Sequence, residues 1–174
     1  MKGLTRCASG NFRMPCRKKF FRLPQLAAKI VREKEMGKTI VLANGGFDLI
    51  HIGHIRYLQQ SKAKGDILVV ALNSDSSLKG LKGAGRALID ERGRILIISA
   101  LACVDYVTLF AEKTVESVLL AITPHFHCKG SDYTIDSIPE RAIVRGYGGA
   151  MAIVGGDKIH STSLVIEKIK ALYG

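Results

Sequence analysis

Five short runs, most of them apolar, recur along this chain, separated by stretches with helical spacing, and that alternation limits the fold more than any other feature. The runs fall at 39–43 (TIVLA), 67–72 (ILVVAL), 106–109, 125–129 and 150–154. They are too short for helices and lack the period-two pattern of a sheet with one wet face, so both faces of each strand are expected to be covered. Between them, apolar spacing predicts helices over 53–64, 90–102, 114–122, 139–147 and 161–172, with a leading helix over 23–36 stopped by Gly37. Strand and helix in alternation predict an α/β fold: a Rossmann-like, parallel, five-stranded sheet with helices on both faces. Ligands of such sheets sit beyond the carboxyl ends of the strands, at the switch in strand order, so the chemistry is expected just after Ala43, Leu72, Lys129 and Val154. The segment 79–85 (KGLKGAG) is expected to be a mobile loop.

The 174 residues suffice for one domain with its own core. Apolar residues make up 47% and charged residues 24%, which excludes a disordered chain, and no apolar run approaches the ~20 residues of a membrane span. The net charge of +11 is unevenly placed. Residues 1–38 hold eleven Lys and Arg against Glu33 and Glu35, or +9, which leaves +2 for the rest. The organisation expected is a poorly ordered basic arm (1–22), a leading helix (23–38) and a single α/β domain (39–174). An arm of this kind could bind RNA or an anionic membrane. The nearly neutral body, with 6% aromatics and no Trp, argues against nucleic acid as the main partner. An Arg-rich start also fits an organelle transit peptide. Cys7, Cys16, Cys103 and Cys128 show no metal-binding spacing, so free thiols and a cytoplasmic location are expected, with no metal held by the protein itself.

The first strand runs directly into NGGFDLIHIGH (44–54). Gly45 and Gly46 allow a tight turn and close approach of a ligand. The helix that follows turns its free N–H groups toward that turn. His51 and His54 lie three apart, on one face of the first helical turn, with Gly53 leaving room for a phosphate between them. Two imidazoles so placed can donate to a phosphoryl group whose charge grows under attack. Taken singly, each histidine has an ordinary structural reading, and the pair also admits a metal site that lacks an evident third ligand.

GGFDxxHxGH resembles the signature of the cytidylyltransferase-like nucleotidyltransferases. The resemblance extends over residues 39–172. NSD (73–75), LKG (81–83) with Arg86, DER (90–92) with Arg94, VDYV (104–107) and KGSDY (129–133) resemble motifs of the bacterial ADP-heptose synthase adenylyltransferases, in the same order. HSTS (160–163) stands where the superfamily has its ISTS-type motif. Three positions depart from the pattern: Ala87 replaces a usual proline, His160 a usual apolar residue or cysteine, and Gly156-Asp157-Lys158 a segment that carries an arginine in glycerol-phosphate enzymes.

The resemblance implies transfer of AMP from ATP to D-glycero-β-D-manno-heptose 1-phosphate, with Mg²⁺ accompanying the ATP. It implies catalytic roles for His51, His54 and Lys82, and nucleotide binding by Gly45, Gly46, Phe47, Asp48, Gly53, Asn73, Arg94, Ser161, Thr162 and Ser163. Arg86, Lys129 and Asp132 would meet the sugar phosphate. Relatives pair as dimers, which implies a homodimer, and many are fused to a sugar kinase for which 174 residues leave no room, which implies a separate one. Several residues keep two readings. Ser161, Thr162 and Ser163 cap a helix or donate to triphosphate oxygens. Lys82 is a solvated loop lysine or a phosphate ligand. Arg94 grips phosphate or pairs with a carboxylate. Asp48 orients a histidine or caps a helix. A cytidylyltransferase acting on glycerol 3-phosphate is the related alternative, and a nucleic-acid-binding protein using its arm is the alternative from another class.

Overall fold

The computed structural model describes residues 19–83, 85, 87–156 and 161–173, and the backbone alone of Ile135. The elements are α1 (Leu23–Glu35), β1 (Ile40–Gly45), α2 (Ile52–Lys62), β2 (Ile67–Asn73), α3 (Asp75–Lys82), α4 (Glu91–Ala100), β3 (Tyr106–Phe110), α5 (Glu116–Ile122), β4 (Phe126–Gly130), α6 (Arg141–Gly146), β5 (Ala150–Val154) and α7 (Thr162–Tyr173). The five strands that the runs predict are present and pair in parallel, and the structure gives their order as β3-β2-β1-β4-β5. Strand order reverses between β1 and β4, and this is the switch point.

Because successive strand residues point to opposite faces, one sequence feeds two cores. Ile40, Leu42, Val69 and Ala71 pack with Leu26 and Ile30 of α1, Val118 and Leu119 of α5 and Val144 of α6. Val41, Ala43, Leu68 and Val70 pack on the other face with Leu58 of α2 and Ile98 of α4. His127 and Cys128 follow the same rule: Cys128 joins the second core, and His127 turns to the opposite face.

Three expectations need correction. The segment expected as a loop over 79–85 is largely helix, since α3 reaches Lys82. Its start signal is Ser74, whose side chain accepts from the Ser77 N–H at 3.1 Å, and Leu78 on its inner face is buried. Gly80 lies within it at a position where a Cβ would meet nothing within 4 Å. Second, residues 19–22 of the expected arm are held to the domain. The Val107 N–H donates to the Lys19 carbonyl at 2.8 Å and the Phe21 N–H to the Val107 carbonyl at 3.0 Å, which covers the outer edge of β3. Residues 1–18 lie outside the described residues. Third, Asp48 neither orients a histidine nor caps α2, whose N-cap is His51. Among the described residues no helix is long and apolar enough to cross a membrane.

Candidate functional site

A cleft of about 650 Å³ opens at the carboxyl ends of the strands and spans the switch point. Its floor is the β1–α2 turn. Phe47 and Leu49 hold φ of 49° and 48° there, a left-handed conformation that bulky side chains rarely adopt. Contacts from distant parts of the chain fix the turn in that shape. Both Asp48 carboxylate oxygens accept backbone N–H groups, from Leu88 at 3.1 Å and Ile89 at 3.0 Å. Thr162, at the start of α7, donates its hydroxyl to the Asp48 carbonyl at 3.0 Å. Arg94 reaches from α4 and donates to the Gly46 carbonyl at 2.7 Å.

Gly46 also sets how closely α3 approaches. A Cβ on it would stand 2.6 Å from Leu78 Cδ1. Gly46→Ala should therefore cost roughly 1–3 kcal/mol of stability through overpacking, read from the midpoint of urea unfolding. Leu78→Ala in that background should recover part of the loss, and no recovery would show that the collision is not with that methyl group.

On this floor the His51 and His54 rings stack, with centroids 3.8 Å apart and planes 25° apart. Phe47 backs His54 at 5.2 Å and in turn stacks on Tyr57 at 6.2 Å. Burial lowers the His54 pKa to about 4, and the nearby His51 and Lys82 push it the same way. The ring is thus neutral at ordinary pH. Its Nδ1 is buried with no hydrogen-bond partner among the described residues. The protein therefore leaves the tautomer to be set by whatever binds, and an incoming polyanion would favour the protonated form.

The cleft gathers nearly all the residues singled out from the sequence: Gly45, Gly46, Phe47, Asp48, His51, Gly53, His54, Asn73, Lys82, Lys129, Asp132, Ser161, Thr162 and Ser163 all line it. Several are already engaged. Asn73 donates to Ser77 Oγ at 3.0 Å, and Ser161 Oγ caps α7 by accepting from the Leu164 N–H at 3.2 Å. Lys129 pairs with Glu140 at 3.2 Å. Lys82 closes α3 rather than riding on a loop.

Arg94 is the exception. It is fully buried and absent from the cleft wall, with its guanidinium shared among Asp75, Gly46 and Ile89. Of its two readings, the carboxylate pair is the one formed, and the phosphate reading is withdrawn. Arg86, Asp157, Lys158 and His160 lie outside the described residues.

The sequence reading missed Glu140, Tyr57, and Lys113 and Thr114 on the β3–α5 loop, all of which line the cleft. It also missed the link from His127 Nε2 to Asn44 Oδ1 at 3.0 Å, which braces the end of β1 from β4. Burial above all, and the Lys129 charge, lower the His127 pKa to about 3, so that ring acts as a neutral brace. Closeness to the end of β3 could have suggested Lys113 and Thr114, whereas Tyr57 within α2 and Glu140 before α6 carry no such local signal.

Folds that wind a 3-2-1-4-5 sheet around a glycine turn of this kind handle nucleotides at the switch point, and comparison with known proteins narrows the class to nucleotidyltransferases. The chain belongs to the cytidylyltransferase-like family, whose model matches residues 42–171. It is 44% identical over 152 residues to the bifunctional protein HldE of Geobacter sulfurreducens, a match covering 87% of this chain and 31% of that protein. Against HldE of Pseudomonas fluorescens it is 40% identical over 148 residues, again 31% of the longer protein. The chain thus spans about a third of the length of these relatives. Among solved structures, the lipopolysaccharide core biosynthesis protein of Thermoplasma volcanium superposes with a TM-score of 0.60 at 30% identity, covering 67% of this chain and 96% of that one. Pantoate-beta-alanine ligase of Francisella tularensis, with a TM-score of 0.54 at 12% identity, shares the fold.

Proposed function

We propose that this chain transfers AMP from ATP to D-glycero-β-D-manno-heptose 1-phosphate, giving ADP-heptose and pyrophosphate for lipopolysaccharide core synthesis in the cytoplasm. The observation that carries the chemistry is the stacked His51–His54 pair on the floor of a cleft at the switch point. The name of the HldE relatives and the KGSDY segment at 129–133 support the choice of acceptor.

An oxygen of the acceptor phosphate attacks the α-phosphorus of ATP. The new P–O bond forms as the bond to the bridging α–β oxygen breaks, and pyrophosphate carries away the electron pair. The nucleophile is already ionised, so the chain need supply no base. Its work is alignment and neutralisation of growing charge. His51 and His54 donate to oxygens of the α- and β-phosphates. Lys82 and the Ser161 and Ser163 hydroxyls hold the departing pyrophosphate.

Among the described residues no three His, Cys, Asp or Glu converge as a metal site. Both Asp48 oxygens accept from Leu88 and Ile89, and one oxygen of Glu140 accepts from Lys129. Mg²⁺ arriving on the triphosphate would keep phosphate and water ligands and would supply charge neutralisation there.

The test is pyrophosphate release with ATP, CTP, GTP and UTP, each against heptose 1-phosphate and glycerol 3-phosphate. Release with ATP and heptose 1-phosphate alone is expected. Release with CTP and glycerol 3-phosphate instead would replace the proposal with the cytidylyltransferase alternative. A homodimer is part of the same proposal, to be measured by sedimentation.

A further inference from the structure

The wall of the cleft beside β4 holds a buried carboxylate with an unanswered oxygen. Glu140 is 5% exposed. Its Oε1 accepts from Lys129 Nζ at 3.2 Å, while Oε2 is buried without a hydrogen-bond partner among the described residues. Both residues line the cleft, and the Lys129 ammonium also lies 5.4 Å from the centre of the Tyr133 ring. Leaving a buried acceptor unmade is costly, so the empty oxygen calls for a donor from the ligand.

We infer that Glu140 accepts a hydrogen bond from a ribose hydroxyl of the bound nucleotide and so selects ribonucleotides over deoxynucleotides. This rests on the nucleotidyltransferase reading of the cleft. Three observations lead to ribose. The donor must be neutral or positive, because a phosphate would be repelled by the carboxylate, and the one charge of Glu140 is already matched by Lys129. Lys129 stands one register step past the Ala43–Cys128 pair, beside Asn44 near the end of β1 and about 5 Å from that strand, which runs on into the turn that leads to the histidines. Glu140 lies one ion pair further on. The group at that remove from the α-phosphate is the sugar attached to it, while the amino group of the base lies beyond the sugar ring.

The test is calorimetric binding of ATP, 2′-deoxy-ATP and 3′-deoxy-ATP to the full chain, without turnover. Wild type should bind one of the two deoxynucleotides about tenfold or more weakly than ATP, as expected for a lost hydrogen bond to a charged acceptor. In Glu140→Met the ratio should fall to within about twofold, and Glu140→Gln, which keeps the shape and a weaker acceptor, should lie between. Wild-type binding of all three within twofold would overturn the inference, as would full discrimination retained in either variant. Should Glu140→Met fail to fold, the wild-type ratio and Glu140→Gln decide. If CTP binds in place of ATP, the same ratios with its deoxy forms decide, so the choice of base can fail while the ribose contact stands. If triphosphates bind without discrimination and pyrophosphate is still released, only the ribose contact falls.

Discussion

Replacing His54 with alanine should lower turnover by at least ~100-fold, the order lost with one donor aimed at developing phosphoryl charge, while the circular dichroism spectrum stays that of the wild type. The ring packs against His51 at 3.8 Å and Phe47 at 5.2 Å, so its position is set before any ligand arrives. A variant with near-normal kcat would remove His54 from the reaction. The same ring makes a pH prediction. Its folded pKa of about 4 lies below the 6.5 of an ordinary histidine, so between those values the unfolded chain binds a proton that the folded chain does not. Stability must therefore fall as pH drops from about 6.5 toward 4, and the loss is complete below that. Thermal melts of the free protein across this range should show the decline, and it should be shallower in His54→Ala. His127, lowered to about 3, keeps its own share in both. Phosphate binding should draw the His54 pKa back up, so nucleotide binding near pH 6 should take up protons.

Arg94→Met should be the most destabilising of the single changes considered. The guanidinium is wholly buried and bonded to the Gly46 carbonyl at 2.7 Å, Asp75 at 2.8 Å and the Ile89 carbonyl at 3.1 Å. Removing it strands three acceptors. The Asp75 side chain is 30% exposed and keeps part of its hydration, so the cost should lie somewhat below the roughly 3–5 kcal/mol of breaking a fully buried pair, and in a chain of this size Tm should fall by on the order of 10 °C. Arg94→Lys should recover little, because an ammonium cannot span the three directions of the fork. An unchanged Tm in the free protein, with nucleotide affinity alone reduced, would restore Arg94 as a phosphate ligand and contradict its burial. The expected outcome ties α4 to the cleft indirectly: Arg94 holds Gly46, and Gly46 is part of the floor on which the histidines sit.

Most of the sheet was legible because strand signals are local. A run such as ILVVAL declares a doubly covered strand whatever surrounds it, and the GGFDLIHIGH stretch announces a turn and a paired-histidine helix within eleven residues of β1. The α3 helix was harder to see. Gly80 and Gly83 argued for a loop, and the cap at Ser74 with the buried face at Leu78 outweighed them once β2 was there to pack against. The strained φ values at Phe47 and Leu49 could not be read from their neighbours, since they exist only because Arg94, Thr162, Leu88 and Ile89 hold the turn from outside.

The amino-acid sequence alone determined the parallel α/β architecture, the glycine turn at the first βα junction and the pairing of His51 with His54 on the helix that follows. Periodicity and i, i+3 spacing are properties of a few consecutive residues, and they survive without knowledge of the rest. Tertiary structure alone decided which polar groups remain available. Arg94 and Asp75 are 19 residues apart, His127 and Asn44 83 apart, and Lys129 and Glu140 11 apart across a loop. A charged side chain serves as clamp, brace or ligand according to its burial and the partner that reaches it first, and both are set by contacts between segments that the chain brings together only on folding.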